Sequence, residues 1–106
     1  VDIVIHEHHA DISEYMRTRA TRAVERAAKR VPRTVEGIIR FEQDGPTRRV
    51  TVTLRAPKHH DLVGKGEGKF FGPALTAAIA KVNQQASREK RSHGRQGGAR
   101  PARPRD

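Results

Sequence analysis

From Arg48 to Ala56 the residue types alternate without a break. Val50, Val52, Leu54 and Ala56 fall on one side of an extended chain, and Arg49, Thr51, Thr53 and Arg55 fall on the other. Period-two alternation marks a strand with one face buried and one face in water. A strand of that kind commits the chain to a sheet covered on one side only. Val35 to Glu42 reads as its neighbour, joined to it by Gln43-Asp44-Gly45-Pro46-Thr47, where Gly and Pro suit a reversal. Val1 to Ile5 is β-branched, with Val1, Ile3 and Ile5 on one face, and it runs into the polar stretch His6 to His9. Pro57 to His60 makes a further turn. A weaker fourth strand, Asp61 to Glu67, is diluted by Gly64 and Gly66, which weaken a strand interior and suit an edge.

Two amphipathic segments supply the cover. Ser13 stands where an N-cap belongs, Glu14 follows in the first turn, and no Gly or Pro interrupts the chain until Pro32. This predicts a helix from Glu14 to Arg30, stopped by Pro32, with Met16, Ala20, Ala23, Val24, Ala27 and Val31 on one face. Gly72-Pro73 opens a second helix, since proline is tolerated in a first turn. Its buried stripe is Leu75, Ala78, Ile79, Val82 and Ala86. The order β-α-β-β-β-α predicts an α+β fold, a two-layer sandwich with both helices on one face of a four-stranded sheet.

Composition narrows the rest. A chain of 106 residues makes one small domain. With 34% hydrophobic and 4% aromatic residues, its core must come from Val, Ile, Leu and Ala. There is no cysteine, hence no disulfide, no thiolate nucleophile and no Cys-based zinc site, which fits a reducing compartment. No apolar run approaches the ~20 residues that span a bilayer, and Val1-Asp2-Ile3-Val4-Ile5 carries no cationic region ahead of an apolar one. The expected location is the cytoplasm. From Ser92 onward the chain has no large apolar residue to offset ordering entropy, so residues 1–91 are expected to form the domain and residues 92–106 a disordered Arg/Gly/Pro-rich tail.

Twenty-two Lys and Arg against twelve Asp and Glu give a net charge of +10 and a pI near 11.2, a balance that points to a polyanion. Four arginines and one aspartate in the tail account for +3, leaving +7 on residues 1–91. Arg19, Arg22, Arg26, Lys29 and Arg33 recur at three and four residues, a single stripe flanking the apolar face of the first helix. Lys81, Gln85 and Arg88 repeat at that spacing on the second, with Lys90 and Arg91 following. Guanidinium forks suit phosphate oxygens, and the two stripes are expected to border a shared basic groove. Glu14 and Glu25 are the only acids on the first helix, too few for intrahelical ion pairs to explain the arginines.

Other motifs lead away from catalysis. His6, His8, His9, His59, His60 and His93 are possible metal ligands, but they are scattered in the expected topology and no Cys or acidic cluster completes a shell. Ser13 is better read as a cap than as a nucleophile. Gly64-Lys65-Gly66-Glu67-Gly68-Lys69 lacks the Gly-Lys-Ser/Thr ending of a phosphate loop and reads as a flexible loop and edge strand. Lys69-Phe70-Phe71-Gly72 lacks the aromatic spacing of an RNA-stacking strand, so Phe70 and Phe71 are expected to anchor the start of the second helix. Gly97-Gly98-Ala99 lacks the glutamine of peptidyl-tRNA-hydrolysing release factors. No metal, no cofactor and no catalytic residue is expected.

The strand Val1 to Ile5, then His8-His9 leading to Asp11-Ile12-Ser13, Arg17, Arg26 and Ala77-Ala78-Ile79-Ala80-Lys81-Val82, taken as an ordered set, resembles the ribosome hibernation promoting factor family. Its short members are similar to the ribosome-associated inhibitor, and its fold to double-stranded RNA-binding domains. The chain departs from the family pattern at the second helix, where an Asp-x-Tyr-x-Ala-Ile-Asp-like opening is replaced by Phe70-Phe71-Gly72-Pro73-Ala74-Leu75-Thr76. The resemblance implies a non-enzymatic inhibitor of translation, bound in the mRNA and tRNA decoding cleft of the small ribosomal subunit through rRNA phosphates. Its expected RNA-binding residues are Arg19, Arg22, Arg26, Lys29, Arg33, Lys81, Gln85, Arg88 and Arg91. No membrane and no small-molecule substrate is expected as partner, and the protein should be a monomer off the ribosome. The alternatives are a general structured-RNA binder and, from another class, an enzyme acting on RNA or peptidyl-tRNA.

Overall fold

The structure is a computed structural model that describes residues 1–31, 33–57 and 60–95, with the backbone alone for residues 89–95. Pro32 with the helix stop assigned to it, His59 in the 57–60 turn, and residues 96–106 with most of the expected tail lie outside the described residues. The element order is β1 (Asp2–His8), α1 (Glu14–Ala28), β2 (Glu36–Asp44), β3 (Thr47–Arg55), β4 (Leu62–Gly68) and α2 (Phe71–Arg95). The four strands form one sheet in the order β1-β2-β3-β4. β1 pairs parallel to β2, so α1 is the crossover that returns the chain, and the remaining pairs are antiparallel. Both helices lie on one sheet face, giving the two-layer α+β sandwich that the sequence predicts.

β3 carries out its alternation in full. Val50, Val52 and Leu54 are buried together with Ile39 and Phe41 of β2, while Thr51, Thr53 and Arg55 lie on the uncovered face. The β2–β3 connection is tighter than the five-residue turn expected, because Asp44 already pairs with Thr47. Only Gly45 and Pro46 turn, with Gly45 at φ 62°, the positive value a two-residue hairpin requires at its first position. β1 also outruns its apolar residues and continues to His8, where His9 at φ 54° ends it.

Ser13 caps α1, its Oγ accepting from the Met16 N–H at 3.1 Å. Ala20, Ala23, Val24 and Ala27 are buried as the periodicity requires. The helix ends at Ala28, two residues short of the expected Arg30. There the N–H groups of Arg30 and Val31 reach back only three residues, to Ala27 and Ala28, and tighten the last turn. α2 continues to Arg95.

β4 is an edge strand, as its glycines suggest, but edge placement is not what the glycines are for. A Cβ on Gly64 would lie 2.2 Å from the Ala78 carbonyl oxygen, and one on Gly66 would lie 2.0 Å from that of Ala74. α2 therefore rests its backbone directly on the β4 backbone, with Ala74, Ala78 and Val82 filling the remaining space. Gly64 to Gly68 is a fully paired strand beneath a helix and not the flexible loop that composition suggests.

Candidate nucleic-acid interface

The helices lie side by side with their N-terminal ends together. Asp11, Ile12, Ser13 and Met16 from the start of α1 face Phe70, Phe71 and Gly72 from the start of α2 across a cleft of about 350 Å³, with Arg48 of β3 as its floor. One turn further along, the guanidinium of Arg19 donates to Thr76 Oγ1 at 3.0 Å and ties the two helices. That bond shows which flank of each helix lines the groove between them.

On α1 the flank is basic. Arg19, Arg22 and Arg26 follow one another at three and four residues, so they rise along the groove from the Thr76 contact. Arg22, Arg26 and Lys29 are exposed. Arg33, also exposed and held at φ 66°, stands past the end of the helix, where it lines a shallow cleft with Glu25, Lys29 and Thr34. None of these cations forms an ion pair among the described residues. Arg17, on the opposite flank, does form one, with Glu7 at the end of β1.

The α2 side departs from expectation. The flank turned to α1 is Thr76, Ala80, Asn83 and Ser87, which repeat at four, three and four residues and carry no charge. Asn83 Oδ1 is buried there without a hydrogen-bond partner among the described residues. Gln85 looks the other way: its amide donates to the Val63 carbonyl at 2.6 Å and accepts from the Val63 N–H at 3.0 Å, on the outer edge of β4. Lys81 and Arg88, at the Gln85 spacing, share that outer flank, although Arg88 reaches the crest and lines a depression with Ala80, Asn83, Gln84 and Ser87. The two stripes thus do not face each other across one groove. Helical periodicity gives the spacing of a stripe, while the side of the helix turned to a neighbour depends on where the helix lands on the sheet. Arg91 lies on the last turns of α2, where the backbone alone is described.

The aromatic residues divide in a way the sequence did not suggest. Phe71 anchors α2 as expected, its ring edge-to-face with Phe41 at 5.4 Å and the Arg48 guanidinium 5.7 Å from its centroid. Phe70 does not anchor; it is 66% exposed, and Tyr15 on α1 is 72% exposed. Arg48 also donates to the Lys69 carbonyl, which fixes the guanidinium behind this end of the cleft.

The uncovered sheet face has another character. Its arginines are matched by acids: Arg40 with Glu42 at 3.6 Å, Arg49 with Glu67 at 2.6 Å, and Arg55 with both Glu36 at 3.7 Å and Asp61 at 3.6 Å. The hydrogen bond and charge of Glu67 hold the Arg49 guanidinium above its ordinary pKa. Among the described residues no three His, Asp or Glu side chains gather as a metal site, and no helix is long and apolar enough to cross a membrane.

With this geometry in view, the sequence matches the family of Sigma 54 modulation protein / S30EA ribosomal protein over residues 3–93. No curated protein matches it. Among solved structures, a ribosomal subunit interface protein from Coxiella burnetii superposes with a TM-score of 0.75 at 16% identity, covering 86% of this chain and 99% of that one. The N-terminal domain of Protein Y from Thermus thermophilus superposes with a TM-score of 0.73 at 13% identity, covering 84% and 99%. At such identities the likeness is one of fold.

Proposed function

The chain belongs to the Sigma 54 modulation protein / S30EA ribosomal protein family, and from that premise we propose that it is a ribosome hibernation factor, acting by occupancy and not by turnover. In this reading it binds the small ribosomal subunit in the cleft where mRNA and tRNA are decoded, holds rRNA phosphates with its helical face, and so keeps an idle ribosome from initiating. It works in the cytoplasm and is a monomer until it binds.

The observation that carries the reading is the cationic stripe of α1. Arg22, Arg26 and Lys29 are exposed beside a groove, and no acid of the described fold forms an ion pair with them. Unpaired guanidinium groups on a rigid helix are suited to phosphate oxygens, because the donor forks are presented in advance and no internal ion pair has to break. Lys81 and Arg88, over the crest of α2, widen the positive surface toward β4, so the proposed contact spans the helical layer and is not confined to one groove. Residues 96–106 add auxiliary attraction in this reading through Arg100, Arg103 and Arg105.

Chemical footprinting of small-subunit rRNA with and without the protein tests the site directly. Protection of the decoding-region nucleotides, with inhibition of translation at the same occupancy, is the expected result. Protection scattered over unrelated helices would point to a general structured-RNA binder, and turnover of a labelled peptidyl-tRNA would point to an enzyme.

A further inference from the structure

The chain has only four aromatic residues, one Tyr and three Phe, and it spends them unevenly. Phe41 is fully buried and Phe71 packs on it, whereas Tyr15 and Phe70 are the most exposed of the large apolar side chains. A domain so short of large apolar side chains gains nothing in stability by leaving half of its aromatic rings in water. Phe70 also has no capping role: it occupies the N-cap position of α2, where Ser13 of α1 caps with an oxygen and Phe70 has none. Its carbonyl alone serves the helix, accepting from the Ala74 N–H at 3.3 Å.

Both rings stand at one end of the molecule, where the helix N-termini converge. Phe70 lines the cleft there with Ser13, Met16 and Arg48. Tyr15 lies four residues before Arg19, and Tyr15, Arg19, Arg22 and Arg26 form one continuous stripe at spacings of four, three and four. An exposed ring thus heads the cationic row, and a second lines the cleft at the same end of the helical layer.

We propose that Tyr15 and Phe70 form a base-stacking end to the helical surface, which takes unpaired nucleobases of a single-stranded RNA segment whose phosphates run along Arg19, Arg22 and Arg26. Every base has a π-face, so such stacking tolerates any sequence, and the adjacent cations complement the backbone that carries the bases. The charge complementarity favours RNA over an apolar peptide as the occupant. The inference rests on the RNA-binding reading above and adds to it a discrimination that phosphate contacts alone do not give: unpaired bases are preferred over a bare backbone.

The test uses the full chain, a short labelled oligoadenylate and an abasic ribose-phosphate strand of the same length and charge, at one salt concentration. The wild-type protein should bind oligoadenylate about tenfold more tightly than the abasic strand, given the usual worth of stacking on an aromatic side chain. The pair Tyr15→Leu and Phe70→Leu, which keeps apolar bulk and removes the rings, should bind both strands equally. The pair Tyr15→Phe and Phe70→Tyr should keep the preference. Thermal melts of both pairs should match wild type, because the two side chains are exposed. Equal wild-type affinity for the two strands overturns the proposal, as does a preference that survives the leucine pair. Co-sedimentation with small ribosomal subunits, run alongside, separates the two readings. Its failure in a protein that still discriminates bases removes the ribosomal target and leaves the stacking end standing.

Discussion

The two faces of this molecule use arginine in opposite ways. On the uncovered sheet face Arg40, Arg49 and Arg55 sit among Glu36, Glu42, Asp61 and Glu67, and each has an acid within 4 Å. On the helical face Arg22, Arg26 and Lys29 have none among the described residues. A count of basic residues would rank these surfaces together. What separates them is whether the charge is already spoken for, since a guanidinium held by a carboxylate across strands must give up that partner before it can take a phosphate.

The comparison can be broken most severely with salt. If about six phosphates are neutralised by the helical face, affinity for small subunits should fall roughly 10³-fold between 50 and 200 mM salt. A nearly flat profile in an equilibrium titration would mean that unpaired charge is not what binds. Charge reversal comes next. Replacing Arg22, Arg26 and Lys29 with Glu should weaken binding by about a hundredfold or more and lower the salt slope by about three, with circular dichroism unchanged. Reversing Lys81 and Arg88 alone should weaken it less, because those side chains lie over the crest of α2; equal losses from the two helices would show that the contact is centred elsewhere.

A smaller effect is expected on stability. Gly66→Ala forces a Cβ toward the Ala74 carbonyl and should cost about 1–3 kcal/mol in denaturant unfolding, the usual range for overpacking. A neutral Gly66→Ala would show that α2 is free to lift from β4. The matched control is smaller still. Changing Arg40, Arg49 and Arg55 to Gln should leave ribosome affinity within about twofold, while each exposed pair lost costs between nothing and ~1 kcal/mol. Truncation after Arg95 should weaken binding only a few fold by sedimentation, because it removes three arginines and one aspartate and leaves both helices.

Most of the architecture was legible because it rests on local periodicity. Val50, Val52 and Leu54 are buried where alternation places them, Ser13 caps where a cap was needed, and Leu75, Ala78, Val82 and Ala86 form the inward stripe of α2. What escaped is what depends on distant partners. Gly64 and Gly66 look like weak strand residues until the carbonyls of Ala78 and Ala74 are seen above them. Gln85 carries the spacing of a basic stripe, yet it is fixed to Val63, twenty-two residues earlier in the chain. The stripe on α1 was legible as a stripe, but its freedom from ion pairs was not, because that depends on which acids the fold sends to the other face. The exposure of Phe70 was hidden by its neighbour: of two adjacent phenylalanines, only the helix phase decides which one turns inward.

The Gln85 clamp has a consequence for assembly. An edge strand ordinarily offers its outer N–H and C=O groups to any extended chain that approaches, which is how sheets grow from one molecule into the next. At Val63 both outward groups are already engaged by a single side-chain amide, which stands in for the missing fifth strand. A second chain seeking to extend the sheet there would have to displace an amide anchored on a helix that is itself seated on the same strand. The glycine-rich strand that looks weakest in the sequence is thereby guarded near its start against pairing with another copy.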